Sequence, residues 1–378
     1  MQLDPRWDKI HWQVTVDTKL GTPGGSEMEV LGVASLPSGE VRVEAQQTAG
    51  QSAWHWKIPG QTMKGEELKR MLDQLEEVGR AWSVAGEVEL QGEGKWENDE
   101  VSGEVRMKWQ APEIRGLDGG LAVLQVRAEE VAEIAETALG RVNVSLEWEG
   151  MDMGGFQTEA GRVEAHRDRG AAIWKIEAGE VAVWGGTVKL RELEYDPEAR
   201  AVPLEFALDE LAAQEMAKFI PESLTSASGR VSGNVALEWT PTGGVEVKAG
   251  RLGLTVTESS QVLLAPQPGL FSHRVPAKIE TLPRWLGPIA RWMAVVNPAR
   301  AELEGIEQGQ RWMQVETLTV DLRPDGPAGG RTAELRLVAH PEGAGLVERI
   351  DFTVNVTGPW QELIQLGLDK RSSMQVGP

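Results

Sequence analysis

The stretch SGRVSGNVALEW (228–239) constrains this chain more than any other. A small-residue entry leads into strict alternation. Val235, Leu237 and Trp239 fall on one side; Asn234, Ala236 and Glu238 fall on the other. A period of two is the mark of a strand with one buried face. The same pattern stands at SGEVRMKW (102–109) and RVNVSLEW (141–148), and more faintly at AGEVELQG (85–92). The three Trp-ended copies lie 39 and then 91 residues apart, counted from Trp109 to Trp148 to Trp239. That irregularity argues against a fixed-period solenoid or propeller. It suits a mainly β fold with a few short amphipathic helices: a long twisted antiparallel sheet.

The remaining segments fit that class. Strands are expected over 10–58, 82–110, 155–195 and 312–356, with turns at Gly21 to Gly25, Gly185-Gly186, Thr242-Gly243-Gly244 and Pro324-Asp325-Gly326. Apolar residues at helical spacing predict helices over 63–79 (Leu68, Met71, Leu72, Leu75), 127–139 (Val131, Ile134, Ala135, Ala138, Leu139) and 207–220 (Leu208, Leu211, Ala212, Met216, Phe219). Five prolines between 266 and 288 exclude long strands there. Within that stretch Trp285, Ile289, Trp292 and Met293 form a helical stripe over about 284–296, flanked by Arg284 and Arg291. Such a stripe serves as an interfacial membrane helix or, more commonly, as a lid or core helix. A further short helix is expected from Pro359.

Composition excludes several functions. The 378 residues carry 38 basic and 58 acidic side chains, a net charge of −20. Nucleic-acid partners need clustered Lys and Arg, so they are set aside. There is no Cys, which removes disulfides and thiolate metal sites. The five His (His11, His55, His166, His273, His340) form no metal-ligand spacing. There is no HExxH, P-loop or GxSxG, and neither a metal nor a cofactor is expected. The chain reads as non-enzymatic. Fifteen Trp stand against one Tyr and five Phe, which suits either a lipid-facing surface or a Phe-poor core. The first twenty residues are studded with charge and hold no signal-peptide core. No run reaches the roughly 18 apolar residues of a membrane-spanning helix.

Residues 181–254 carry a family likeness. They hold a Gly-Gly strand (Gly185, Gly186, Val188, Leu190), a strand and short helix (Leu204, Phe206, Leu208, Leu211), a Gly-x-Val-Ser-Gly strand (Gly229 to Gly233) and a strand ending x-x-Gly-x-Leu (Gly250 to Leu252). LTVDLRPDG (318–326), RTAELRLVAHPEG (331–343) and IDFTVNVTG (350–358) extend it, with His340-Pro341 where Asn-Pro is frequent. This pattern resembles the AsmA-like superfamily, and within it the YdbH branch that bears the label "dicarboxylate transport". It divides the chain into a β-rich region 1–135 that the likeness does not map, and a β-rich region 136–378 with helices inserted near 207–220 and 284–296.

The resemblance implies a bridge-like protein of the diderm periplasm that transfers phospholipid between inner and outer membranes and supports outer-membrane lipid homeostasis. In such proteins acyl chains slide along the apolar concave side of a curved sheet. The implied partners are phospholipid acyl chains, an inner-membrane anchor expected outside this chain, and an outer-membrane or periplasmic partner. Dicarboxylate binding finds no basic cluster here to support it. The groove candidates are Val105, Met107, Trp109, Val144, Leu146, Trp148, Val188, Leu190, Val235, Leu237 and Trp239. The same residues would otherwise pack against helices 63–79, 127–139 and 207–220 as an ordinary core. Two other functions stay open: a structural or adhesin-like envelope protein, and a carbohydrate-active β-sandwich.

Overall fold

A computed structural model describes residues 11–357, apart from 20–26, 37–38, 49–51, 66–81, 84–85, 117–120, 137, 154–155, 197–198, 219–223, 241–243, 256–259, 280–294, 325–330 and 344. The chain is mainly β, built of antiparallel sheet with a few short helices. It divides into two compact units, Met1–Ala182 with Leu190–Ala199, and Val183–Lys189 with Arg200–Pro378.

The strands as far as Tyr195 are β1 (His11–Lys19), β2 (Glu27–Leu36), β3 (Gly39–Thr48), β4 (Trp54–Lys64), β5 (Trp82–Ser83), β6 (Glu87–Glu97), β7 (Glu100–Gly116), β8 (Leu121–Ala135), β9 (Ala138–Trp148), β10 (Gly150–Met153), β11 (Phe156–Thr158), β12 (Gly161–Arg167), β13 (Trp174–Val183), β14 (Gly186–Leu190) and β15 (Leu193–Tyr195), of which β14 lies mostly in the second unit. In the first unit the antiparallel ladder runs β1, β2, β3, β4, β6, β7, β8, β9, β12, β13, β15. Most neighbours in sequence are neighbours in the sheet, as short hairpin connections demand.

The second unit adds β16 (Val202–Ala212), β17 (Leu224–Ala227), β18 (Arg230–Thr240), β19 (Gly244–Thr255), β20 (Gln261–Leu264), β21 (Lys278–Ile279), β22 (Val295–Val296), β23 (Met313–Leu322), β24 (Arg331–Pro341) and β25 (Ile350–Thr357). Its ladder runs β16, β18, β19, β23, β24, β25, with β20 joining β17 to β23. β21 and β22 pair separately.

Two expected helices are corrected. Residues 127–139 are not helical: β8 and β9 form a hairpin there, with Ile134 opposite Leu139 and Ala135 opposite Ala138. The helical spacing came from folding two strands over a tight turn at Glu136, whose φ is +52°. Residues 207–212 belong to β16, and of the described residues in the span Ala213–Ala217 are helical. A bulge lies between Leu208 and Leu211, which pair with Gly233 and Val231. An inserted residue lets positions three apart share a face and so mimics a helix. The helix expected over 63–79 lies outside the described residues except at its start. There Met63 and Lys64 end β4 and Gly65 is helical. The helix expected near 284–296 also lies outside them, save Val295–Val296, which are strand.

One helix went unforeseen, Pro298–Glu307. Its start is legible in the sequence: Asn297 accepts a hydrogen bond from Ala299 N–H at 3.1 Å, and Pro298 fills the first turn. Its inner face buries Ile306 completely. Its two buried carboxylates tie down separate loops. Glu307 accepts from the N–H groups of Gly269, Phe271 and Ser272 at 2.8, 2.9 and 3.1 Å, and from Ser272 Oγ at 2.6 Å. Glu302 accepts from Leu346 and Val347 N–H and from Arg311.

Candidate lipid-facing surfaces

The register of the first unit gathers its apolar residues on one face. Directly opposed residues in adjacent strands point the same way. Val88, Leu90 and Gly92 of β6 stand opposite Trp109, Met107 and Val105 of β7. These stand opposite Ala128, Glu130 and Ala132 of β8, which in turn face Leu146, Val144 and Val142 of β9. Val163, Ala165 and Arg167 of β12 follow, then Gly179 and Ile176 of β13.

Parts of the face are filled: Val88 and Val142 on it are fully buried. Ala111, Ile114, Val126 and Trp148 are buried together, with Trp109, Leu146, Val163 and Val181 packed around them. The Trp148 indole lies against Gly161, where a methyl would sit 2.3 Å from its ring. Only glycine leaves that space. Val105, Met107 and Val144, further along the strands, are half-buried and outside that cluster. Leu190 packs over Gly179 on the same side.

The opposite face is charged and ion-paired across strands. Arg106 meets Glu129 at 3.3 Å, and Arg162 lies 3.9 Å from Glu180. Exposed pairs of this kind contribute at most about 1 kcal/mol each. Their value here is diagnostic, because they mark the side that water wets. A concavity of about 1130 Å³ takes in Glu44, His55, Lys57, Glu93 and Arg106 together with Trp56, whose ring lies over Gly92, Gly94 and Gly103 on the side of Val105.

The second unit repeats the arrangement. Val202, Leu204 and Phe206 of β16 stand opposite Trp239, Leu237 and Val235 of β18. Those stand opposite Val245, Val247 and Gly250 of β19. Deeper along the strands, Leu252 faces Val320 and then Leu335; Leu318 faces Leu337 and then Phe352. That end is a closed core: Val231, Leu252, Leu254, Met313, Val315 and Leu337 are buried together with Ala213 and Ala217 of one helix and Ile306 of the other. Each fully buried Leu or Val contributes roughly 1.5–3 kcal/mol. Val235 packs against this core, whereas Leu237 and Trp239 lie outside it. Trp239 is 36% exposed and Val245 49%. Val188 is half-buried on β14, which pairs with β16.

Six of the expected residues of the first unit, Val105, Met107, Trp109, Val144, Leu146 and Trp148, therefore share one face, and Val235, Leu237 and Trp239 share another in the second unit. Of the three helices expected to cover them, 127–139 is a strand hairpin and 207–220 is strand as far as Ala212. Trp285, Ile289, Trp292 and Met293 lie outside the described residues. Residues of these faces outside the expected set include Val88 and Leu90 on the faint repeat copy, Val142 on β9, and Val163 and Ile176 on β12 and β13.

The family model described as "YdbH-like: Intermembrane phospholipid transport protein YdbH" matches residues 3–253, more than half of the chain. The chain belongs to the YdbH-like family. The match takes in residues 1–135, which the sequence motifs left unmapped, and stops short of the C-terminal strands 318–358 on which part of the likeness rested. No curated protein and no solved structure matches the chain. YdbH-like proteins are named for intermembrane phospholipid transport, an envelope activity whose cargo is lipid and which calls for no bond to be broken. Among the described residues no helix is long and apolar enough to cross a membrane.

Proposed function

We propose that this chain carries phospholipids across the periplasm between inner and outer membranes. In this reading the acyl chains lie on the apolar faces of the two units, and no chemistry is done on the lipid. The observation that carries the reading is the period-two apolar face of each unit, repeated strand after strand in a member of a phospholipid-transport family. Contact with such a face gains about 0.8 kcal/mol for each CH2 removed from water, without fixing the chain at one register. Sliding needs that lack of direction. An inner-membrane anchor and an outer-membrane or periplasmic partner complete the route in this reading.

Native mass spectrometry of gently purified protein tests it. Bound phospholipid is expected on the unaltered chain. Leu237→Asp should lower that load about 10-fold or more, from the 1.5–3 kcal/mol of a leucine contact, while circular dichroism keeps its strand signal. A lipid-free mass in repeated preparations, or an unfolded variant, contradicts the proposal and favours a filled core of structural purpose.

A further inference from the structure

The apolar face of the first unit is interrupted at two places. From β6 to β13, the charged residues that the register sets on it, among the described residues, are Glu130 and Arg167. Glu130 stands between Met107 and Val144. Arg167 stands beside Val142 at the end of β12. The corresponding face of the second unit, from β16 to β25, carries no charged residue among those described.

Neither residue is tied up as the charges of the opposite face are. The Arg167 guanidinium lies 5.0 Å from the centroid of the Trp174 ring, a cation–π stack that fixes the group in place. Among the described residues it makes no hydrogen bond and no close ion pair, so its planar fork of donors stays free for an anion. Glu130 likewise makes no side-chain hydrogen bond among them. Burial raises its carboxyl above the usual value, and the positive charge of Arg167 pulls it back. The two charges feel each other across the face without closing into a pair. Leaving charged groups half-buried on an apolar face is costly unless something compensates them.

We propose that Arg167 and Glu130 form a headgroup site for a zwitterionic phospholipid, the phosphodiester on Arg167 and the ammonium on Glu130. The acyl chains then lie on the neighbouring rows of Val105, Met107 and Val144. Charge complementarity selects this occupant: the site offers one donor fork and one carboxylate on an otherwise apolar surface. An anionic headgroup satisfies Arg167 but meets repulsion from Glu130. The inference rests on the lipid-transfer reading above and adds a place and a class to it.

The test loads purified protein from vesicles of equal phosphatidylethanolamine and phosphatidylglycerol, and separately from vesicles doped with diacylglycerol. Bound lipid is read by mass spectrometry. The unaltered protein should favour phosphatidylethanolamine severalfold. Arg167→Gln should lower phospholipid load severalfold and leave diacylglycerol load unchanged. Glu130→Gln should abolish the preference against phosphatidylglycerol while total load holds. Equal loss of both lipid classes on Arg167→Gln, or an unaltered preference in Glu130→Gln, overturns the headgroup site but leaves lipid carriage standing. Binding of inorganic phosphate at Arg167, seen by phosphorus NMR without lipid displacement, overturns it in favour of a free-anion site. Failure of the unaltered protein to take up any of the three lipids overturns the transfer reading itself.

Discussion

At the scale of single residues, the clearest energetics belong to Glu307. Its carboxylate is buried, sits at the wrong end of a helix for a negative charge, and survives there because three backbone N–H groups and the Ser272 hydroxyl converge on it. Burial alone would raise its pKa; the four hydrogen bonds outweigh it and hold the group at about 2. A folded pKa below the unfolded one stabilises the fold at higher pH. The contribution is complete above the unfolded value of 4.5 and is lost as pH falls from there towards about 2. Glu307→Gln should therefore cost roughly 2–4 kcal/mol at pH 7. It should also flatten the loss of stability between pH 5 and pH 2, as read by denaturant midpoints of unaltered and variant protein.

At the scale of elements, legibility followed the regularity of the strands. β7, β9 and β18 could be read directly because nothing breaks their alternation between Val105 and Trp109, Val144 and Trp148, or Val235 and Trp239. β8 could not. Glu130 places a charge on its apolar face and Val131 an apolar residue on its polar face, and together they simulate a helix. β16 was misread through its bulge. There Glu210 adopts φ +56°, Ser232 Oγ accepts from Glu210 N–H at 3.0 Å, and Arg230 donates to the carbonyls of Gly185 and Glu210, both at 3.0 Å. Nothing local in the sequence announces such a latch, because its parts lie up to 45 residues apart. Arg230→Ala should loosen it by about 1–2 kcal/mol. Faster amide exchange at Glu210 and Ala212 would report this; unchanged exchange would show that the bulge holds without it.

At the scale of the whole molecule, the sequence conveyed fold class and family through repeated half-apolar strands, while the fate of their apolar side was open. An ordinary core and a lipid-bearing face share the same period of two. Registers separate them in part. The buried ends, around Trp148 in one unit and Val231, Leu254 and Leu337 in the other, are cores. Met107, Val144, Leu237 and Trp239 continue the same faces beyond those cores. The account stands or falls on whether lipid touches those continuations. A photo-crosslinking amino acid placed singly at 105, 106, 107, 108, 235, 236, 237 and 238 in cells measures this directly. The account predicts phospholipid adducts at 105, 107, 235 and 237 and none at 106, 108, 236 and 238. Adducts without that alternation, or none at any of the eight positions, would contradict it.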